Sequence, residues 1–167
     1  TVTPFYFYDT ALLSHTLEKV KEHGIKKGFK VHYAMKANAN PRLLEIIQKS
    51  GLGADAVSAN EVKAAIKAGF AREEIVFAGV GKTDAEIRTG LEENIFCFNC
   101  ESAQEVEVIN SIAAQLGKKT RIALRINPNV DAKTHHYITT GKQENKFGLP
   151  PGEIDLVIDK LPQLPNI

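Results

Sequence analysis

Three places in the chain carry residue types that can do covalent or acid–base chemistry. The first is Tyr33-Ala34-Met35-Lys36-Ala37-Asn38, where a lysine closes an apolar run. A lysine at the end of a buried strand can be desolvated, which lowers its pKa and lets the neutral amine attack a carbonyl. The same spacing also fits a lysine that merely leaves the core for solvent. The second is Gly53-Ala54-Asp55-Ala56-Val57-Ser58, a carboxylate inside a run of small residues. Asp55 either accepts a hydrogen bond from a buried partner or sits at a turn. The third is the stretch 127–150. Arg125-Ile126-Asn127-Pro128 leads into Thr134-His135-His136-Tyr137-Ile138-Thr139-Thr140-Gly141 and then Lys146-Phe147-Gly148. A connection this long, rich in hydrogen-bonding groups and poor in period, serves either as a functional loop or as a surface loop, and is expected to be mobile.

Other motifs carry less. Cys97-Phe98-Asn99-Cys100 has the spacing of half a zinc site or a redox pair, but no second pair at metal spacing follows it. A redox pair would open a helix, whereas Cys97 lies in a strand pattern. Gly79-Val80-Gly81-Lys82-Thr83 resembles the tail of a phosphate loop without its first glycine. His135-His136 lacks helical ligand spacing, and His15, His23 and His32 read as solvated or boundary histidines.

The elements that must position these residues alternate regularly. Phe5 to Tyr8 reads as a strand, and Asp9 or Thr10 caps a helix carrying Leu13, Leu17 and Val20. Lys30 to Ala34 is a strand. Asn40-Pro41 then opens a helix that Gly51 ends. A short run from Ala54 to Ser58 precedes a helix from about Glu61 to Gly69. Ile75 to Ala78 is a strand, followed by the capping box Thr83-x-x-Glu86. Ile95 to Phe98 is a strand, followed by Ser102-x-x-Glu105. Arg121 to Ile126 is a strand, and a last helix runs from about Pro151 to Leu161. After the leading strand this gives five strand–helix units, which predict an α/β protein with a parallel sheet. Five units fit either an open doubly wound sheet or part of an eight-fold barrel, and spacing alone does not choose.

Composition excludes several classes. The chain has 167 residues, enough for one domain with its own core. Its 21 basic against 20 acidic residues leave a net charge of +1, so there is no basic field to hold nucleic acid or an anionic membrane. No apolar run approaches the roughly 18 residues of a membrane span. The beginning, Thr1-Val2-Thr3-Pro4, has no targeting pattern, and two cysteines make no disulfide framework, so a reducing cytoplasm is the expected location.

Taken together, Thr3 to Asp9, Tyr33 to Asn38, Asp55 to Ser58 and Arg125-Ile126-Asn127-Pro128 resemble the N-terminal half of the fold-type III, pyridoxal-phosphate-dependent amino-acid decarboxylases. Asp131 to Gly141 followed by Lys146-Phe147-Gly148 resembles the branch of that family that acts on meso-2,6-diaminopimelate, with His136 where that branch commonly has proline. The resemblance implies a (β/α)8 TIM barrel of the alanine racemase-like, PLP-binding type, followed by a β-domain. It implies that residues 1–9 are a leading strand belonging with that β-domain. Residues 10–167 are then the first part of the barrel, about five βα units, with the rest of both domains absent.

By the same resemblance, Lys36 attaches pyridoxal 5'-phosphate covalently, and Asp55 and Arg125 line the cofactor cavity. His135, Tyr137 and Lys146 belong to a substrate loop. The implied reaction is decarboxylation of meso-2,6-diaminopimelate, a small amino acid, to L-lysine by a cytoplasmic homodimer that uses no metal and binds neither nucleic acid nor membrane. The family's later phosphate loop, its acidic partner of the pyridine nitrogen and its catalytic cysteine have no match here, and neither Cys97 nor Cys100 corresponds to that cysteine. Two rival readings remain at this point: another decarboxylase or racemase of the same fold type, and a structural barrel fragment without cofactor or activity.

Overall fold

A computed structural model describes residues 2–128 and 147–167. Helix α1 (Thr10–His23) precedes the first strand, and the rest alternates: β1 (His32–Ala34), α2 (Pro41–Lys49), β2 (Gly53–Ala56), α3 (Ala59–Lys67), β3 (Ile75–Phe77), α4 (Asp84–Glu92), β4 (Cys97–Cys100), α5 (Ala103–Gln115), β5 (Ile122–Leu124) and α6 (Pro151–Lys160). The five strands pair in parallel in the order β1-β2-β3-β4-β5. That order decides what spacing left open. A doubly wound sheet reverses its strand order at a switch point, whereas here every crossover steps the same way, as a closing barrel requires.

The helices start where side chains satisfy the free N–H groups. Asp9 caps α1 through Leu12 N–H, Asn40 caps α2 through Arg42 N–H, and Thr83 with Glu86 forms a reciprocal box on α4. Helix α3 starts two residues before the expected Glu61, because Ser58 caps it by accepting from Glu61 N–H. Strand β4 runs Cys97–Cys100 rather than Ile95 to Phe98. Ile95 N–H is still bonded to Gly90 at the end of α4, and Asn94 takes a positive φ of 52° to make the turn.

Strand alternation sorts the sheet into two faces. Ala54, Ala56, Ile75, Phe77, Phe98 and Cys100 face the helices at 0% exposure. There they meet Leu44 and Ile47 of α2, Val62 of α3, Ile87 of α4 and Val106 and Ile109 of α5. The Phe77 and Phe98 rings pack at 5.9 Å between centroids, tilted by 32°. The Phe98 ring also occupies the space a side chain at Gly90 would need, with ring carbons 2.7 and 2.8 Å from that Cβ position. Helix α6 docks on α5, where Lys160 pairs with Glu107.

The leading segment stands apart from the five-stranded sheet. Phe5 to Tyr8 forms no strand, and Phe5, Tyr6 and Phe7 are 55%, 90% and 82% exposed. A strand exists only through a ladder with a neighbour, and among the described residues this segment has no ladder partner, its Tyr8 hydroxyl being held by Asn38 Nδ2 at 3.1 Å. Among the described residues no helix is long and apolar enough to cross a membrane, and no group of His, Cys, Asp or Glu could hold a metal ion.

Candidate active site

The carboxyl ends of all five strands open onto one cavity of about 660 Å³. Lys36 enters it from the segment after β1, Asp55 from β2, Asn99 and Glu101 from the end of β4, and Arg125 from just past β5.

Turn chemistry presents Lys36. Strand β1 stops at Ala34, and Met35–Ala37 form a 3-10 turn in which Met35 is fully buried. The Tyr33 hydroxyl donates to the Asn38 carbonyl at 3.1 Å, and Asn38 Oδ1 accepts from Asn40 N–H at 3.0 Å. Those bonds tie the turn to the cap of α2, so Met35 anchors it beneath while Lys36 lines the cavity. Lys36 is exposed at the open mouth, the placement of a lysine that leaves the core.

Asp55 sits one residue before the end of β2, paired in register with Ala34 and Val76. Burial raises its carboxyl above the usual range, opposed by the positive charges of Lys36, His32 and Arg125 in that order. Its Oδ1 is buried with no hydrogen-bond partner. His32, a boundary residue as expected, packs against Gly53 with its Nε2 also buried and unpartnered.

Arg125 pairs through Nη1 with Glu101 Oε1 at 2.9 Å and lies 5.5 Å over the Phe147 ring. The chain returns beside β5 here: Leu149 N–H donates to Arg125 O and Asn127 N–H to Leu149 O, both at 2.8 Å. Gly148 makes the approach with φ +95°, in contact with the Arg125 backbone, where a Cβ would lie 2.6 Å from the carbonyl oxygen. Only a glycine adopts that conformation at that distance without strain. The two ends of the 127–150 stretch are therefore held beside β5 by a parallel bridge between Ile126 and Leu149. His135, Tyr137 and Lys146, and the expectation of mobility, fall on 129–146, outside the described residues.

Two participants escaped the sequence reading. Glu101 is not singled out by any motif, yet its side chain is only 5% exposed and lines the cavity, with Oε2 buried and unpartnered. The available signal was period two: Cys97, Asn99 and Glu101 share the face of β4 that bears polar groups. Lys82 looked like the remnant of a phosphate hook. Its amine is 1% exposed and donates to Gly79 O and Asn99 O at 2.8 Å and to Glu105 Oε1 at 2.6 Å, over the Phe77 ring. All three of its donors are used inside the protein, so it braces the loop after β3 against β4 and α5. Cys100 is equally inward: burial, its largest cause, pushes its thiol up to about 12.

A sequentially wound parallel sheet with an amine, two carboxylates and a guanidinium at its carboxyl face has the arrangement that α/β barrels present at their ligand-binding end. The chain belongs to the pyridoxal-dependent decarboxylases, matching their pyridoxal binding domain over residues 13–166. It is 54% identical over 166 residues to diaminopimelate decarboxylase of Bacteroides thetaiotaomicron, covering 99% of this chain and 43% of that protein. The Aquifex aeolicus diaminopimelate decarboxylase is 44% identical over 168 residues, with 99% and 39% covered. The crystal structure of Helicobacter pylori diaminopimelate decarboxylase complexed with L-lysine superposes with a TM-score of 0.85 at 40% identity, covering 99% of this chain and 42% of that one. The chain thus spans about two fifths of the length of these relatives. The cavity fits a pyridoxal group. Its volume lies within the range of small-molecule sites, Lys36 offers an amine at the mouth, and the unpartnered Asp55 Oδ1 awaits a donor.

Proposed function

We propose that the whole protein decarboxylates meso-2,6-diaminopimelate to L-lysine, with pyridoxal 5'-phosphate held on Lys36. The observation that carries this reading is that Lys36, Asp55 and Arg125, far apart in sequence, line one cavity at the carboxyl ends of a barrel sheet. The relatives named above support the choice of substrate. Bound pyridoxal phosphate supplies an electron sink for the carbanion left when carbon dioxide departs.

The chain's own residues do the rest. Lys36 holds the cofactor at an open mouth, where an incoming substrate amine can reach the same position. Asp55 holds a proton more readily than an ordinary aspartate, because burial disfavours its charge. It thereby places a donor or acceptor on the cavity wall. Arg125 offers a fixed positive charge to an anionic oxygen. His135, Tyr137 and Lys146 are assigned to the substrate side. The family resemblance supports a cytoplasmic homodimer acting on this small amino acid.

The test is borohydride reduction of the full-length protein loaded with pyridoxal phosphate, followed by peptide mapping. The label is expected on Lys36, and Lys36→Ala should lose both label and turnover of meso-diaminopimelate. Normal turnover by that variant would overturn the assignment. Decarboxylation of ornithine or arginine in preference to meso-diaminopimelate would point instead to another member of the fold type.

A further inference from the structure

We propose that Glu101 is a positioning residue of this site, setting the Arg125 guanidinium at the cavity and being itself set by Glu105 and Lys82. The inference rests on the reading that the cavity takes pyridoxal phosphate, and adds a residue that the reading does not use. Arg125 has a side chain 50% exposed, and a long cation at that exposure has many rotamers open to it. What restrains it is Glu101 Oε1, at 2.9 Å, and the Phe147 ring beneath it. Glu101 is the opposite kind of group, 5% exposed and with little freedom.

The restraint continues behind Glu101. Its backbone N–H donates to Glu105 Oε2 at 2.8 Å, while Glu105 Oε1 accepts from Lys82 Nζ at 2.6 Å. An ordinary capping box would turn the Glu105 carboxylate onto the Ser102 N–H. Here Ser102 still caps α5 through Glu105 N–H, but the Glu105 carboxylate reaches one residue further back, to Glu101. A buried lysine with every donor occupied thus fixes a carboxylate, which fixes the backbone of a second carboxylate, which holds the arginine. Meanwhile Glu101 Oε2 stays buried without a partner, an arrangement that costs stability and that an optimally folded surface would avoid. Its presence at a cavity wall is explained by the orientation it imposes on Arg125.

The experiment is a double-mutant cycle on the full-length protein, reading the dissociation constant of pyridoxal phosphate by absorbance titration of the cofactor-free form. Glu101→Gln keeps the size and one neutral hydrogen bond but removes the charge. It should weaken binding about tenfold, the loss of one charge-assisted contact. In the background of Arg125→Gln, the same change should weaken binding less than about twofold, because a residue acting through Arg125 has nothing left to position. A purely structural role for Glu101 would give additive losses, and additivity overturns the proposal. So does wild-type binding by Glu101→Gln. Should that variant fail to fold, Glu101→Asp, which keeps the charge but withdraws it by a methylene, enters the same cycle with the same criterion. Wild-type protein that binds no pyridoxal phosphate would overturn the cofactor reading itself, an outcome distinct from additivity in a protein that does bind.

Discussion

On the helix-facing side of the sheet, Ala54, Ala56, Ile75, Phe77, Phe98 and Cys100 are sealed among apolar side chains at 0% exposure. On the opposite side these strands and β5 carry Asp55, Val76, Asn99 and Ala123, none of them fully buried, with Cys97 at 6% exposure the exception. The first side is held by area removed from water and by close packing, which need no particular chemistry beyond size and shape. The second is lined with small and polar residues whose groups are in part unpartnered, namely Asp55 Oδ1 and Glu101 Oε2. One face stores the stability that the other spends on chemistry.

The largest effect that separates the faces is a cavity in the packed one. Phe98→Ala should lower unfolding stability by about 4 kcal/mol, because the ring is wholly enclosed and its neighbours on α4 and β3 cannot all collapse onto the gap. Val80→Ala, at 57% exposure on the cavity side, should cost less than about 0.5 kcal/mol. Denaturant unfolding of the full-length protein checks both. Equal losses would mean that the cavity side is packed as tightly as the core.

Lys82 tests the seam between the two faces, since it stands over the core ring of Phe77 while its acceptors belong to the cavity wall. Lys82→Met should cost about 3 kcal/mol, since it leaves the Glu105 charge nearly buried without a counter-ion. Adding Glu105→Gln should recover part of that loss: the stranded charge goes, and an acceptor for Glu101 N–H remains. Denaturation midpoints of the single and double variants decide. A double variant worse than the single would show that the Glu105 charge is satisfied without Lys82.

The packed face was legible in the sequence and the cavity face only half so. Apolar periodicity and three capping signals placed α2, α4 and α5, because local groups satisfy helix ends wherever the rest of the chain lies. Lys36 and Asp55 were found because a charge stands out inside a small or apolar run. Phe5 to Tyr8 marks the limit of such reading, since aromatic alternation describes a side-chain preference while a strand needs a partner. Glu101 and Lys82 were missed because their roles are long-range. Sequence shows a glutamate before a serine cap and a lysine after two glycines. The convergence of Lys82, Glu105, Glu101 and Arg125 exists only once β3, β4 and β5 lie side by side.

The smallest effect is the most pointed, because it asks the cavity face to gain stability by losing function. Asp55 has a carboxyl raised above its ordinary 3.8, with burial outweighing the pull of Lys36, His32 and Arg125. The folded state therefore binds the proton more tightly than the unfolded chain. Through the window from 3.8 up to the raised value, the folded protein carries more protons, and stability falls as pH rises. Above that window the ionised carboxylate remains a constant burden. Asp55→Asn keeps the shape and cannot ionise, so it removes this term. The variant and the wild type should be equally stable below pH 3.8, and the variant should pull ahead as pH climbs, by less than about 1 kcal/mol at neutrality. Denaturation midpoints across pH 3 to 8 measure the gap, and cofactor binding by the same variant should be weakened. A variant less stable than wild type at pH 7 would mean that Asp55 is fully compensated where it sits. The contrast between a face built for packing and a face left open for a ligand would then have to rest on Glu101 alone.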